Sequence, residues 1–372
     1  MIKVLHVVGK RPRGGVGTFL INMNRNINTD LIRFDYLICD PSKEDGPFDK
    51  AVKEFGAQVF VLPELKYKNT SQYLSELNQF YSTYHDYDIV HVHSPNIGFF
   101  NFLMAKKYGI SHRIVHSHNT KYSDKFTSAI RNYFLQLPMK PYITSKFACS
   151  KKAGEFLFGR KQMSNGHVFL ANNAIDANKF RYNRCLREKV RKDLNLEENF
   201  VIGHVGRFNF QKNHMFLLEI FKEVKKQEKN AVLLLVGDGE LELEIRNKAL
   251  SMNIADSIRF MGLRNDVPEL LQAFDVFVLP SLFEGLPLVG IEIQAAGLPS
   301  VMADSITDEI KITDIVEFMS LEDKPIYWAK KIIAFKEFER KDMYEEIVKT
   351  GYDEKIAAKK LQEYYSNIIS KK

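Results

Sequence analysis

The chain has 372 residues, enough for two domains of roughly 150 residues each. With 45 % hydrophobic and 27 % charged residues it is too apolar for disorder, and its composition excludes collagen, coiled coil and low-complexity polymers. The net charge of +7 is unevenly spread: residues 1–190 carry 28 Lys and Arg against 15 Asp and Glu, and the remainder is acidic at −6.

Residues 101–161 alone hold 12 basic and 2 acidic side chains. Such a surface suits nucleic acid, an anionic membrane or a phosphorylated substrate, or is simply solvated. The three cysteines, Cys39, Cys149 and Cys185, show no Cys-x-x-Cys spacing. That excludes a disulfide scaffold and a thiolate zinc site and fits a reducing compartment. The chain opens on an apolar run containing Lys3, unlike a secretory signal, and no run reaches the roughly 18 apolar residues of a membrane span. The expectation is a cytoplasmic protein.

Short apolar runs alternate with amphipathic stretches. In the first half the predicted strands are 4–9, 35–40, 58–63, 88–94, 113–118, 146–150 and 167–172. Between them, 71–84 has helical spacing with Leu74, Leu77, Phe80, Tyr81 and Tyr84 on one face. The pattern restarts with strands at 200–206, 231–237, 257–262, 275–280 and 299–304. Apolar strands separated by helices indicate parallel sheets covered on both faces. The charged, strand-poor segment 176–198 is expected to join the halves. The predicted architecture is α/β, two Rossmann-like domains facing each other across a cleft: 1–185, 186–350 and a C-terminal amphipathic helix, 351–372, with a crossing back to the first as its expected course.

Ligands of open parallel sheets bind beyond the carboxyl ends of strands. After the first strand, Gly9 to Thr18 contains Gly14, Gly15 and Gly17, a loop able to turn N–H groups toward a phosphate. It matches neither the P-loop nor the G-x-G-x-x-G pattern, which weakens an ATPase or dehydrogenase reading. In the second half, Arg207 and Lys212 lie five apart just past a strand end and can flank one diphosphate.

The segment 279–299 places Glu284 in a loop, Pro287 at a helix start and Glu292 one turn in. The N–H groups near Gly285, Leu286, Pro287 and Leu288 would face an anion. The two carboxylates suit hydroxyls, one set on a ribose and one on a sugar. His91/His93 and His116/His118 each project from one strand face, but no carboxylate or cysteine clusters with them, so no metal site is assigned. Asp86-Tyr87-Asp88 precedes its strand and reads as a strand start.

GGVGTF (14–19), HSHNT (116–120), NNAID (172–176), VGRFNFQKNH (205–214), LLVGDGELE (234–242) and FEGLPLVGIEIQAAGLP (283–299), in this order, resemble the family 4 retaining glycosyltransferases of the GT-B fold. The likeness spans nearly the whole chain and is strongest to bacterial enzymes of capsule and exopolysaccharide assembly. It implies transfer of a hexosyl or N-acetylhexosaminyl group from a nucleotide sugar, UDP before GDP, to a glycan acceptor on a lipid diphosphate. It also implies no cofactor and no metal.

Arg207 and Lys212 match the family's diphosphate clamp, Glu292 the ribose-binding glutamate, and Glu284 the glutamate near the donor sugar. Gly15 and Gly17 match the glycine loop, His118 the histidine near the reacting sugar, and Leu263 a residue flanking the base. Asn173 stands where many members carry glycine, which puts a turn conformation in doubt. The basic first half would receive the acceptor and rest on the inner face of the cell membrane, with Lys106, Lys107, Lys151 and Lys152 in contact. A hinge is expected near 176–198. The rivals are a nucleotide-sugar epimerase of the same fold and a nucleic-acid-binding protein, the latter opposed by the lack of any recognisable binding module.

Overall fold

The computed structural model describes residues 1–12, 14–120, 122 and 126–370. These form two units, 1–174 with the tail from Asp353 onward, and Ile175–Tyr352. The first holds a parallel sheet of β1 (Ile2–Val8), β2 (Ile32–Cys39), β3 (Val59–Leu62), β4 (Ile89–Val92), β5 (His112–Ser117), β6 (Ser145–Ala148) and β7 (Phe169–Leu170). Their order across the sheet is 3-2-1-4-5-6-7. The second holds β8 (Phe200–Val205), β9 (Ala231–Val236), β10 (Ile258–Gly262), β11 (Val276–Leu279), β12 (Ser300–Ala303) and β13 (Val316–Met319), in the order 10-9-8-11-12-13.

The two-residue alternation of a strand divides each core into two layers. In β1, Val4 and Val8 face one layer with Phe19 and Leu20 of the helix Gly14–Asn26, while Leu5 and Val7 face the other with Leu77 and Phe102. The second sheet is likewise covered on both faces, one layer containing Phe274 and Phe277 and the other Phe221 and Trp328. Continuous apolar strands follow directly from this two-sided burial.

Three expectations need correction. The segment 176–198 is not a free linker. Its helix Arg184–Asp193 carries Arg187 and Arg191 onto Asp275, whose carboxylate also accepts the amide of Val201 at 2.7 Å. The units therefore divide at 174/175 and at 352/353 rather than at 185/186 and 350/351, and Ile175 N–H donates to Tyr352 O at 2.9 Å beside both crossings. In the helix Thr70–Thr83 the inward residues are Tyr73, Leu77, Phe80 and Tyr81; Leu74 is half-buried and Tyr84, beyond the helix end, is exposed. Lastly, β13 was not predicted, because Glu317 breaks its apolar run. That strand lies at the sheet edge, where Glu317 pairs with Lys331 at 3.2 Å.

The C-terminal helix Glu354–Ser370 belongs to the first unit, with Ala358, Leu361 and Tyr365 buried beside Val4 and Phe19. Among the described residues, no helix is long and apolar enough to cross a membrane.

Candidate functional site

In each sheet the strand order reverses beside the first strand of its unit, between β1 and β4 and between β8 and β11. Loops leaving two such neighbours run in opposite directions, so a crevice opens at their carboxyl ends. In the second unit those loops and the helix Leu288–Ala295 carry most of the predicted site residues. The loop after β8 contains Arg207 and the short turn Phe210–Lys212, and the loop after β11 contains Glu284.

The two loops are stitched together. Leu282 N–H donates to Gln211 O at 2.8 Å, and the Gln211 side-chain amide donates to Phe283 O and to Glu284 Oε2. Lys212 Nζ meets Glu284 Oε1 at 2.6 Å, with both side chains largely buried. The Lys212 stem runs across Gly206, where a Cβ would come within 3.0 Å of Lys212 Cε. Arg207 is exposed and reaches Glu240 at 3.1 Å in the loop after β9. Each cation of the predicted clamp therefore rests against a carboxylate.

Leu286 and Leu288 are half-buried beside the core layer that contains Phe274 and Phe277, and the helix Leu288–Ala295 begins after Pro287 in extended conformation. One expectation changes here, because Pro287 has no N–H to offer. The donors available to an anion are those of Gly285, Leu286 and the first helical residues, whose amides have no partner within the helix. Gly285 faces open space. Glu292 lies on the second turn, and burial pushes its carboxyl up to about 7, opposed by the Lys179 charge. Leu263 follows β10 and is exposed, next to Arg264, which pairs with Asp266 at 2.6 Å.

In the first unit, the loops after β1 and β4 line a cavity of about 760 Å³ with Gly9, Lys10, Arg11, Ser94, His93 and His118 among its walls. Gly9 N–H donates to Ser94 Oγ at 2.8 Å across the switch point. Gly17 is buried in the helix Gly14–Asn26, where a Cβ would approach Pro12 O to 3.0 Å. Gly15 leaves room for Asn173, whose amide nitrogen would stand 3.0 Å from a Cβ there. Asn173 is thus a packing partner of the glycine loop, and it is not among the residues with positive φ, so no glycine-specific turn is required at its position.

His118 follows β5, and its Nε2 lies 2.9 Å from His93 Nδ1. Burial holds its imidazole down at about 3, so it is neutral at working pH and acts as a hydrogen-bonding group, not as a cation. Asp86 and Asp88 engage Lys3 at the opposite, amino end of the sheet.

Comparison with known proteins decides the family. The model for "Glycosyl transferases group 1" matches residues 187–316. EpsF of Bacillus subtilis (strain 168) is 32 % identical over 361 residues, covering 94 % of this chain and 93 % of that protein. The UDP-Gal:alpha-D-GlcNAc-diphosphoundecaprenol alpha-1,3-galactosyltransferase of Escherichia coli is 30 % identical over 283 residues, 72 % of this chain and 70 % of that one. The chain belongs to the group 1 glycosyltransferases. Its fold is GT-B: Anabaena HepE, crystallised with UDP, superposes with a TM-score of 0.76 at 17 % identity over 100 % of both chains.

Within this glycosyltransferase, the second unit brings Arg207, Lys212, Glu284 and the Leu288 helix start to one switch point, with Leu263 on a neighbouring loop of the same sheet end. The first unit separately holds Gly15 and Gly17 in the helix after its first strand and His118 in the cavity wall after β5. Two residues escaped the sequence analysis. Gln211, which ties the two loops, lies between Arg207 and Lys212 and has no charge to mark it. His6 bonds His93 at 2.9 Å, and its signal was present as a histidine on the same face as the two His-x-His pairs.

Proposed function

We propose that this glycosyltransferase is a retaining, metal-independent enzyme of capsular or exopolysaccharide assembly. It moves a sugar from a nucleotide sugar, UDP-linked before GDP-linked, to a glycan on a lipid diphosphate, working at the inner face of the cell membrane. The observation that carries the reading is the convergence of Arg207, Lys212, Glu284 and the Leu288 helix start at the second switch point. The relative named for UDP-Gal and a diphosphoundecaprenol acceptor supports the choice of donor and acceptor class.

In this reading the donor diphosphate lies over the helix start, and Arg207 and Lys212 leave Glu240 and Glu284 to hold it. Glu292 accepts the ribose hydroxyls, Leu263 flanks the base, and Glu284, released from Lys212, accepts a hydroxyl of the sugar. The bond from the anomeric carbon to the diphosphate oxygen breaks as the acceptor oxygen bonds to the same face. The acceptor proton passes to the departing oxygen. The growing negative charge on the diphosphate is met by the two cations, which are worth most where charge develops. His118, neutral, orients hydroxyls by hydrogen bonding, and the cavity walled by Lys10 and Arg11 takes the acceptor.

Thermal shift against UDP, GDP, ADP and their sugars tests the donor site. A ligand well above its Kd stabilises the fold by about 2–4 kcal/mol, and Glu292→Ala should abolish the UDP shift. Absence of a shift with every nucleotide overturns the reading. Activity that vanishes with a chelator and returns with Mg²⁺ overturns metal independence. Release of a changed nucleotide sugar, or of free nucleotide, without any acceptor would favour the epimerase. Charge reversal at Lys106, Lys107, Lys151 and Lys152 should free the protein from anionic vesicles, and unchanged binding refutes the membrane contact.

A further inference from the structure

The sequence shows two His-x-His pairs, each confined to one strand. The parallel register makes them one cluster. His6 of β1 stands opposite His91 of β4, and His91 and His93 lie one strand from His116 of β5 and the following His118. All five share the face of the sheet that also carries Val4, Ile89 and Ile114, beneath Phe19 and Tyr365. Ring centroids of His116 and His118 are 3.9 Å apart, and those of His91 and His93 are 4.4 Å apart. His6 Nε2, His91 Nε2, both nitrogens of His116 and His118 Nδ1 are buried with no hydrogen-bond partner among the described residues. An unpaired buried polar atom is costly, and so many aimed at one another ask for a common partner.

We propose that His93, His116 and His118 form a binding site for one borderline divalent transition-metal ion of the Zn²⁺ and Co²⁺ class. Their ligand nitrogens lie within 4.8 Å of one another. Small ring rotations that open the His93–His118 contact bring three imidazoles onto one ion at about 2.0–2.1 Å. His93 and His118 line the cavity of the first unit, so the ion has an entry path and a coordination position left for water or an anion. An outer partner is in place as well: His6 holds His93 at 2.9 Å. His6, His91 and His93 make a second, deeper triad, but it shares His93 and so competes for the same ion.

The donors are nitrogen throughout, which selects Zn²⁺, Co²⁺, Ni²⁺ or Cu²⁺ and rejects Mg²⁺ and Ca²⁺. The site therefore plays no part in the transfer step proposed above. Because it engages His118, an ion here inhibits that reaction, and this one consequence rests on the proposed role of His118.

The test is equilibrium dialysis of the untagged full chain against Co²⁺, read by visible absorption and elemental analysis, with circular dichroism to confirm the fold. One equivalent with the intense spectrum of a tetrahedral nitrogen-rich site is expected. His118→Asn, at the cavity wall, and His116→Gln should weaken binding by roughly tenfold or more. His85→Asn and His167→Asn, on the surface, should leave it unchanged. Folded wild-type protein that takes up no Co²⁺, or uptake equal in the His118 and surface variants, overturns the site. Either failure leaves the transfer reading intact, and a metal-free protein without transferase activity would defeat that reading alone.

Discussion

The two sheets share a topology and differ in what they hold at and behind the switch point. Behind the second lies a core with two histidines, His204 and His214, and in front of it charged loops whose cations are paired with carboxylates. Behind the first lie five neutral imidazoles and no neutralising charge among them. One pairs each cation with a carboxylate, and the other holds neutral imidazoles alone. The contrast predicts different responses to acid. Burial holds His6 and His118 down at about 3, against an unfolded value near 6.5, so the unfolded state takes up protons first and stability falls as pH drops below 6.5. At pH 5 each of these two costs about 2 kcal/mol, a large part of a marginal domain's stability. Burial holds His204 and His214 of the second unit down as well, so it is the count, five such imidazoles against two, that should make the first unit of chelator-treated protein melt in mild acid before the second. The single tryptophan, Trp328, is buried in the second unit and should keep its native emission while far-ultraviolet dichroism already declines. Simultaneous loss of both signals breaks the comparison.

Much of this was legible in the sequence, for reasons that particular residues make plain. Twelve of the strands were readable because two-sided burial demands apolar runs such as AVLLLV in β9. The loops after β8 and β11 were readable because Arg207, Lys212 and the Pro287 helix start each follow the end of an apolar strand in the sequence. Edge strand β13 was hidden by Glu317, since an edge tolerates charge. The allegiance of 176–198 was hidden because Arg187 and Arg191 look like linker charge until Asp275 is placed beside them. The histidine cluster was hidden for a similar reason: strand pairing, not sequence distance, brings His6 within 2.9 Å of His93.

The charged side of the comparison sharpens through its two cations. Lys212→Ala and Arg207→Ala should each lower kcat by about 10²–10³-fold if both meet charge that develops on the leaving diphosphate. Their effects on stability should differ. Arg207–Glu240 is an exposed pair, and its loss should leave the melting temperature unchanged. Lys212–Glu284 is largely buried, so Lys212→Ala strands a carboxylate and destabilises the unit. Adding Glu284→Gln to Lys212→Ala should restore stability without restoring turnover. Equal melting temperatures for the two single variants would mean that the buried pair is not holding the loops.

The smallest effect concerns Glu292 and separates binding from folding at one carboxyl. Burial pushes this group up to about 7, whereas an unfolded glutamate titrates near 4.5. The native state then keeps a proton that the unfolded state has lost, so its contribution to stability is intact below about 4.5 and declines as pH rises through 7. Glu292→Gln, neutral and of the same shape, should raise stability by about 2–3 kcal/mol at pH 8 and change little near pH 4.5. Donor binding should move the other way. In the proposed donor site, ribose hydroxyls donate to the ionised carboxylate, and a nucleotide sugar has no group of its own titrating near neutrality. Its affinity should therefore rise by roughly tenfold between pH 6 and pH 8, following the ionised fraction of Glu292, and become flat in Glu292→Gln. Calorimetric titration with a UDP-sugar at both pH values reads this directly. Parallel pH profiles for wild type and variant would show that another group titrates on binding, and the ribose contact would then have to be sought elsewhere among the loops of the second unit.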